Sequence, residues 1–234
     1  MSLGKIRNRI DSLDREIVKL LNKRAEMTLD IGKLKAKKDK PVFVPGRETE
    51  VYKKVLSSNK GPLKNETLKA IYREVMSGSL SLERELNIAF LGPEATFTHM
   101  AALEKFGSSV KYISCDNITD VFIEVERGSA DYGVVPIENT TEGAVTHTMD
   151  MFIDSDLKIC AESLMPVVHN LLSNGKISSI KKVYSNPQVL GQCRLWLETN
   201  LPGAELVSTS STTKAAQLVS NKKDCAAIAS KLAG

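Results

Sequence analysis

Between Ile6 and Leu34 the apolar residues Ile6, Ile10, Leu13, Ile17, Leu20, Met27, Ile31 and Leu34 recur at alternating spacings of four and three. That alternation marks one apolar stripe on one long α-helix. From Ile6 to Gly32 no glycine or proline interrupts it, and Pro41 and Pro45 end it. A helix over 3–38 would run about 50 Å, longer than a small domain is wide. Its stripe needs cover along its whole length, so the chain is expected to form a homodimer through it.

Arg24 interrupts the stripe between Leu20 and Met27. An arginine in a helix seam often just snorkels to solvent. Lys35, however, lies eleven residues on, about three full turns, and so projects within about 20° of Arg24. Two cations on one partly apolar face suggest a pocket for an anion. A second helix is expected from about Arg47 to Ser58. A turn follows at SNKGPLKN, and then a third helix carrying Leu68, Ile71, Tyr72, Val75, Leu80 and Leu82.

Charge divides the chain as well. Residues 1–86 carry 20 Lys/Arg against 12 Asp/Glu, a net +8, whereas residues 87–234 net −4. The asymmetry implies two units with different tasks, the basic one drawing in an anionic partner. Nucleic acid is a poor candidate, because LNKRAEM and KLKAKKDK lack interleaved aromatics and any recognition motif. Apolar runs are too short to span a bilayer, and MSLGKIRNRID has no apolar core after its basic residues. Neither a membrane partner nor a secretory signal is expected. Cys115, Cys160, Cys193 and Cys225 show no close pairing and no histidine at ligand spacing. Free thiols in a reducing cytoplasm, with no metal site, are the expectation.

The second unit begins at Asn87. NIAFL, KYISC, YGVVPI, LKICAES, KKVYSN and AELVSTS read as short strands. NITDVFIEVERG, NPQVLGQCRLWLETNL and STTKAAQLVSNK read as helices between them. This alternation implies an α/β domain with largely parallel sheets, where ligands bind beyond the strands' carboxyl ends near helix N-termini. GPEATFTHMAALEKFG places threonines at such a helix start. In GVVPIENTTEG a strand's carboxyl end releases Glu138, Asn139, Thr140 and Thr141 into the crevice, and Gly143 allows close backbone approach. Ser or Thr at a helix start is often only an N-cap.

Taken together, Arg7 in IRNRIDSLD, Arg24 in LLNKRAEM, Lys35 in IGKLKAKK, Arg47–Glu48 in VPGRETEV, and Ser79 and Glu83 in GSLSLERE make the first unit (1–86) resemble the all-helical chorismate mutases. GPEATFTHMA, ADYGVVPIENTTEGAVTHTMDMF, YSNPQVLGQC, SSTTKAA and CAAIAS make the second (87–234) resemble prephenate dehydratase. The order matches the bifunctional enzymes of phenylalanine biosynthesis. The resemblance implies a three-helix, intertwined mutase dimer followed by a two-lobed domain similar to periplasmic binding proteins. Lobe one would span about 88–163 and lobe two about 166–234.

For the mutase, the resemblance implies that Arg7, Arg24 and Arg47 grip the two carboxylates of chorismate. Lys35 would donate to a carboxylate and the ether oxygen, Glu48 would accept from the substrate hydroxyl, and Ser79 and Glu83 would complete the site. The rearrangement is intramolecular and requires no cofactor; the protein holds a compact conformer and stabilises charge on the ether oxygen. Arg7 lies 28 residues from Lys35, about 42 Å along a continuous helix, so it is either irrelevant or supplied by a second subunit. Some relatives have Gln at position 83, where an ionised carboxylate can only accept. Glu83 is therefore expected to act protonated, in an apolar setting that favours the neutral form. Val44 stands where some relatives carry Asp.

For the dehydratase, the resemblance implies prephenate contacts from Thr96, Phe97, Thr98, Asn139, Thr140, Thr141, Gly143, Ser185, Gln188, Ser211 and Thr212. Glu138 would orient the loop or handle a proton. Ala95 replaces a usual Gly and is expected to strain the turn if φ is positive there. Asn186 replaces a usual His. Relatives continue past Gly234 into a Thr-Arg-Phe segment and a regulatory domain, so this chain is expected to be a weak or inactive dehydratase. The alternative is a mutase whose second domain only binds its ligand.

Overall fold

A computed structural model describes residues 2–38, 42–139 and 143–234. The chain divides into two units, Met1–Asn87 with Glu104–Lys111, and Ile88–Leu103 with Tyr112–Gly234. The first unit reaches past the expected boundary at 86/87, because Glu104–Lys111 groups with the helices.

The first unit contains three helices, α1 (Leu3–Ala36), α2 (Pro45–Ser57) and α3 (Asn65–Glu83). The expected end of α1 at Pro41 lies outside the described residues. Thr28 is the buried residue of α1, whereas Ile6, Ile10, Leu13, Ile17, Leu20, Met27, Ile31 and Leu34 are all at least 41% exposed. The stripe is therefore real but uncovered within one chain. Gly32 lets α3 come close, since a Cβ there would sit 3.2 Å from Glu83 Cγ. Val44 occupies the N-cap position of α2 and makes no side-chain cap there.

The second unit holds three sheets among the described residues. β1 (Asn87–Leu91) is central in the first, between β2 (Lys111–Cys115) and β3 (Tyr132–Val134). Ile88, Ala89 and Phe90 of β1 are fully buried, as a central strand requires. β1 and β3 run parallel, Ala89 opposite Gly133. Gly133 has to be small, because a Cβ would lie 2.8 Å from Val121 of α5 (Ile118–Glu126). A hairpin, β4 (Glu138–Asn139) with β5 (Gly143–Ala144), follows, and then α6 (Thr146–Asp154). α4 (Phe97–Phe106) joins β1 to β2.

The other sheet has the order β6–β9–β7–β8, from Asn170–Leu172, Cys225–Ala229, Lys182–Ser185 and Glu205–Ser208. β7 is parallel to both β8 and β9, and β6 is antiparallel to β9. CAAIA is buried at every position, and its alanines let α9 (Thr212–Val219) pack closely.

Two expectations fail here. LKICAES is not a strand: it carries no ladder among the described residues, and Ile159 is 62% exposed. Its alternation lacked a neighbouring strand to pair with. NPQVLGQCRLWLETNL is two helices, α7 (Pro187–Gln192) and α8 (Arg194–Asn200), because Cys193 leaves helical geometry at φ −92° and ψ 2°.

Candidate active sites

In the helical unit, two cations of α1 meet two acceptors of α3. Arg24 Nη1 donates to Ser79 Oγ. Lys35 Nζ donates to Glu83 Oε2 at 2.9 Å and to the Val42 carbonyl at 2.6 Å. Ser79 and Glu83 lie one turn apart, about 6 Å, so the heads of Arg24 and Lys35 converge although their Cα atoms are about 16 Å apart along α1. The Glu83 side chain is 7% exposed, and its Oε2 is an acceptor from Lys35. The buried carboxyl is therefore paired with a cation, rather than set in the apolar surroundings that were expected.

The remaining residues of the expected mutase set are less gathered. Glu48 is held by Lys105 at 2.6 Å. Arg47 is exposed and pairs with Glu50 at 2.9 Å. Arg7 is exposed near the opposite end of α1. Lys105 escaped sequence reasoning altogether, since nothing in AALEKFG marks it.

In the α/β unit the candidate residues follow the carboxyl ends of β1, β3, β7 and β8, as parallel topology dictates. Thr96 Oγ1 accepts from the His99 backbone at 3.3 Å at the start of α4. Ser211 caps α9, accepting from Lys214 N at 3.1 Å, and Thr212 is its first residue. Thr213 Oγ1 donates to Glu94 O at 2.9 Å, and Ser230 Oγ donates to Ala95 O at 2.7 Å. These two bonds bring the β1–α4 turn beside the start of α9 and the end of β9. Phe97 meets the His169 ring edge-on at 5.6 Å, and Thr98 is half-buried.

Other expected contacts are placed differently. Ser185 is fully buried, and its hydroxyl donates to Ile228 O at 2.7 Å inside the sheet rather than toward a crevice. Gln188 is exposed, and its backbone N–H donates to the Asn186 cap. Glu138 is exposed on the hairpin beside Asn139. Gly143 has φ +78°, a conformation that favours glycine, and no described atom lies within 4 Å of a Cβ there. Thr140 and Thr141 lie outside the described residues.

Two histidines were missed. His99 stacks on Phe90 at 4.5 Å and accepts the Ala95 N–H on Nδ1 at 2.9 Å. Burial lowers its pKa, against an opposing pull from Glu94, which suits a neutral ring with Nδ1 unprotonated. His169 Nε2 lies 2.7 Å from Gln192 Oε1, while its buried Nδ1 has no partner among the described residues. Only the position of His99, one turn inside the helix that Thr96 starts, hinted at either.

Ala95 sits at φ +62°, the left-handed conformation that the Gly of relatives would take freely. Ala95→Gly is expected to stabilise the α/β unit by about 0.5–1 kcal/mol, relieving Cβ strain against a smaller entropy cost. Differential scanning calorimetry should show its transition rising by a few degrees.

Comparison with known proteins supplies the rest. Residues 88–234 match the family model described as prephenate dehydratase, and residues 6–84 match chorismate mutase type II. The chain is 48% identical over 236 residues to a bifunctional chorismate mutase/prephenate dehydratase of Aquifex aeolicus, covering 99% of this chain. It is 43% identical over 238 residues to the Pseudomonas aeruginosa protein of the same description, again covering 99%. It spans 65% of the length of each. Among solved structures, a prephenate dehydratase from Arthrobacter aurescens in complex with L-Phe aligns with TM-score 0.58 and 34% identity. That alignment covers 63% of this chain and 51% of that one.

Proposed function

Because the chain belongs to the prephenate dehydratase family and carries a chorismate mutase type II domain before it, we propose that its helical unit converts chorismate to prephenate and its α/β unit takes the prephenate on to phenylpyruvate. One observation carries the first half: Arg24 and Lys35 converge on adjacent turns of α3. Two cations a turn apart suit a small dianion, and Lys35 is placed to meet charge developing on the ether oxygen. Arg47 and Glu48 join from α2, Glu48 accepting from the ring hydroxyl.

The active species is an intertwined homodimer. Its support is the uncovered stripe of α1, where each large aliphatic side chain gains about 1.5–3 kcal/mol on full burial. Arg7 then comes from the second copy. The separate β2–β1–β3 and β6–β9–β7–β8 sheets support two lobes resembling a periplasmic binding protein. Prephenate binds beside the Thr96–Thr98 turn and the start of α9, with Asn139, Thr140, Thr141 and Gly143 as further contacts. No helix among the described residues is long and apolar enough to cross a membrane. The four free thiols support a cytoplasmic setting.

The test is to supply chorismate and follow its loss, prephenate and phenylpyruvate against a protein-free control. Prephenate above control supports the mutase; phenylpyruvate above control supports the dehydratase. Prephenate accumulating alone leaves the second unit as a binding module.

Glu83 adds a substitution test, since Lys35 occupies its Oε2 beside the ether oxygen's expected donor. Glu83→Gln, whose amide can donate to the ether oxygen, is expected to keep mutase kcat within about tenfold, whereas Glu83→Ala should lower it by about 10²-fold. Equal rates in the two variants would remove Glu83 from this role.

A further inference from the structure

The segment Glu104–Lys111 lies beyond the chorismate mutase match, yet it groups with the helical unit through a set of directed contacts. Ser108 donates to Glu74 Oε2 through its backbone N–H at 2.9 Å and its hydroxyl at 2.5 Å. Ser109 N–H donates to Ser77 Oγ at 3.0 Å. Phe106 packs on Phe43 with ring centroids 5.0 Å apart. Lys105 Nζ lies 5.4 Å from the centre of the Phe43 ring and donates to Glu48 Oε2 at 2.6 Å. The Glu48 side chain is 13% exposed.

We propose that Lys105 is a positioning residue of the mutase site, holding Glu48 by Oε2 so that Oε1 faces the hydroxyl of the bound ring. The proposal rests on the mutase reading above. A glutamate near the start of α2 has several rotamers open to it, whereas a short charge-assisted bond beside an aromatic ring selects one. Tyr52, one turn further along α2, brings no charge to Glu48, because burial and then the Glu48 charge push its pKa up to about 12 and keep the phenol neutral. Nearby Arg47 is engaged instead with Glu50.

The experiment measures chorismate kinetics in the full chain for Lys105→Met, Lys105→Gln and Lys105→Arg, each also combined with Glu48→Gln. Met keeps the aliphatic stem against Phe43 and removes only the charge. Loss of orientation should lower kcat by roughly tenfold in Lys105→Met and Lys105→Gln, more than it changes KM, with partial rescue in Lys105→Arg. In the Glu48→Gln background the same substitutions should change kcat little. Unchanged kcat with a lowered thermal transition would make Lys105 a structural clip and overturn the proposal, as would equal losses in both backgrounds. A wild-type chain inert toward chorismate would instead sink the mutase reading, and this proposal with it.

Discussion

Lys35→Ala is expected to lower chorismate turnover by about 10²–10³-fold, the usual cost of deleting a donor aimed at developing negative charge. Lys35 Nζ is fixed from two sides, by Glu83 Oε2 at 2.9 Å and Val42 O at 2.6 Å, so little reorganisation is needed when substrate arrives. The substitution has a second consequence. Glu83, 7% exposed, loses its cationic partner, which should destabilise the helical unit by about 1–3 kcal/mol. Adding Glu83→Gln removes the stranded acid and should recover most of that stability without recovering activity. Steady-state kinetics and thermal denaturation on the same three proteins separate the effects. If Lys35→Ala/Glu83→Gln regained both stability and rate, Lys35 would be a structural partner only.

The parts of this site that were legible in the sequence are those whose geometry is local. The stripe of α1 is a 3.6-residue period, and the alignment of Arg24 with Lys35 follows from the same arithmetic. The left-handed φ of Ala95 was foreshadowed by the Gly of relatives at that position. What failed depended on distant partners. LKICAES has a strand's texture, but a strand exists only when a neighbour takes its hydrogen bonds. Ser185 stands at a strand end, where a prephenate contact was expected, and the neighbouring β9 takes its hydroxyl through Ile228 O. The Lys105–Glu48 pair joins residues 57 apart and has no periodic trace.

Mixing two inactive variants is expected to restore activity, the largest recovery this architecture allows. α1 is continuous from Leu3 to Ala36, so Arg7 and Lys35 of one chain are about 42 Å apart and cannot grip one small ligand. If each site of the dimer takes Lys35 from one chain and Arg7 from the other, Arg7→Ala and Lys35→Ala homodimers both have two damaged sites. Their heterodimer has one site carrying both substitutions and one carrying neither. Random reassociation after unfolding and refolding an equal mixture makes about half the dimers hybrid, so about a quarter of wild-type turnover should return. Each variant refolded alone should stay near its own low rate. Sedimentation would check that both variants remain dimeric, so that the gain reports shared sites and not rescued folding. Recovery no greater than the average of the parents would mean that Arg7 does not cross over. The uncovered stripe of α1 would then join the two copies without building their catalytic sites.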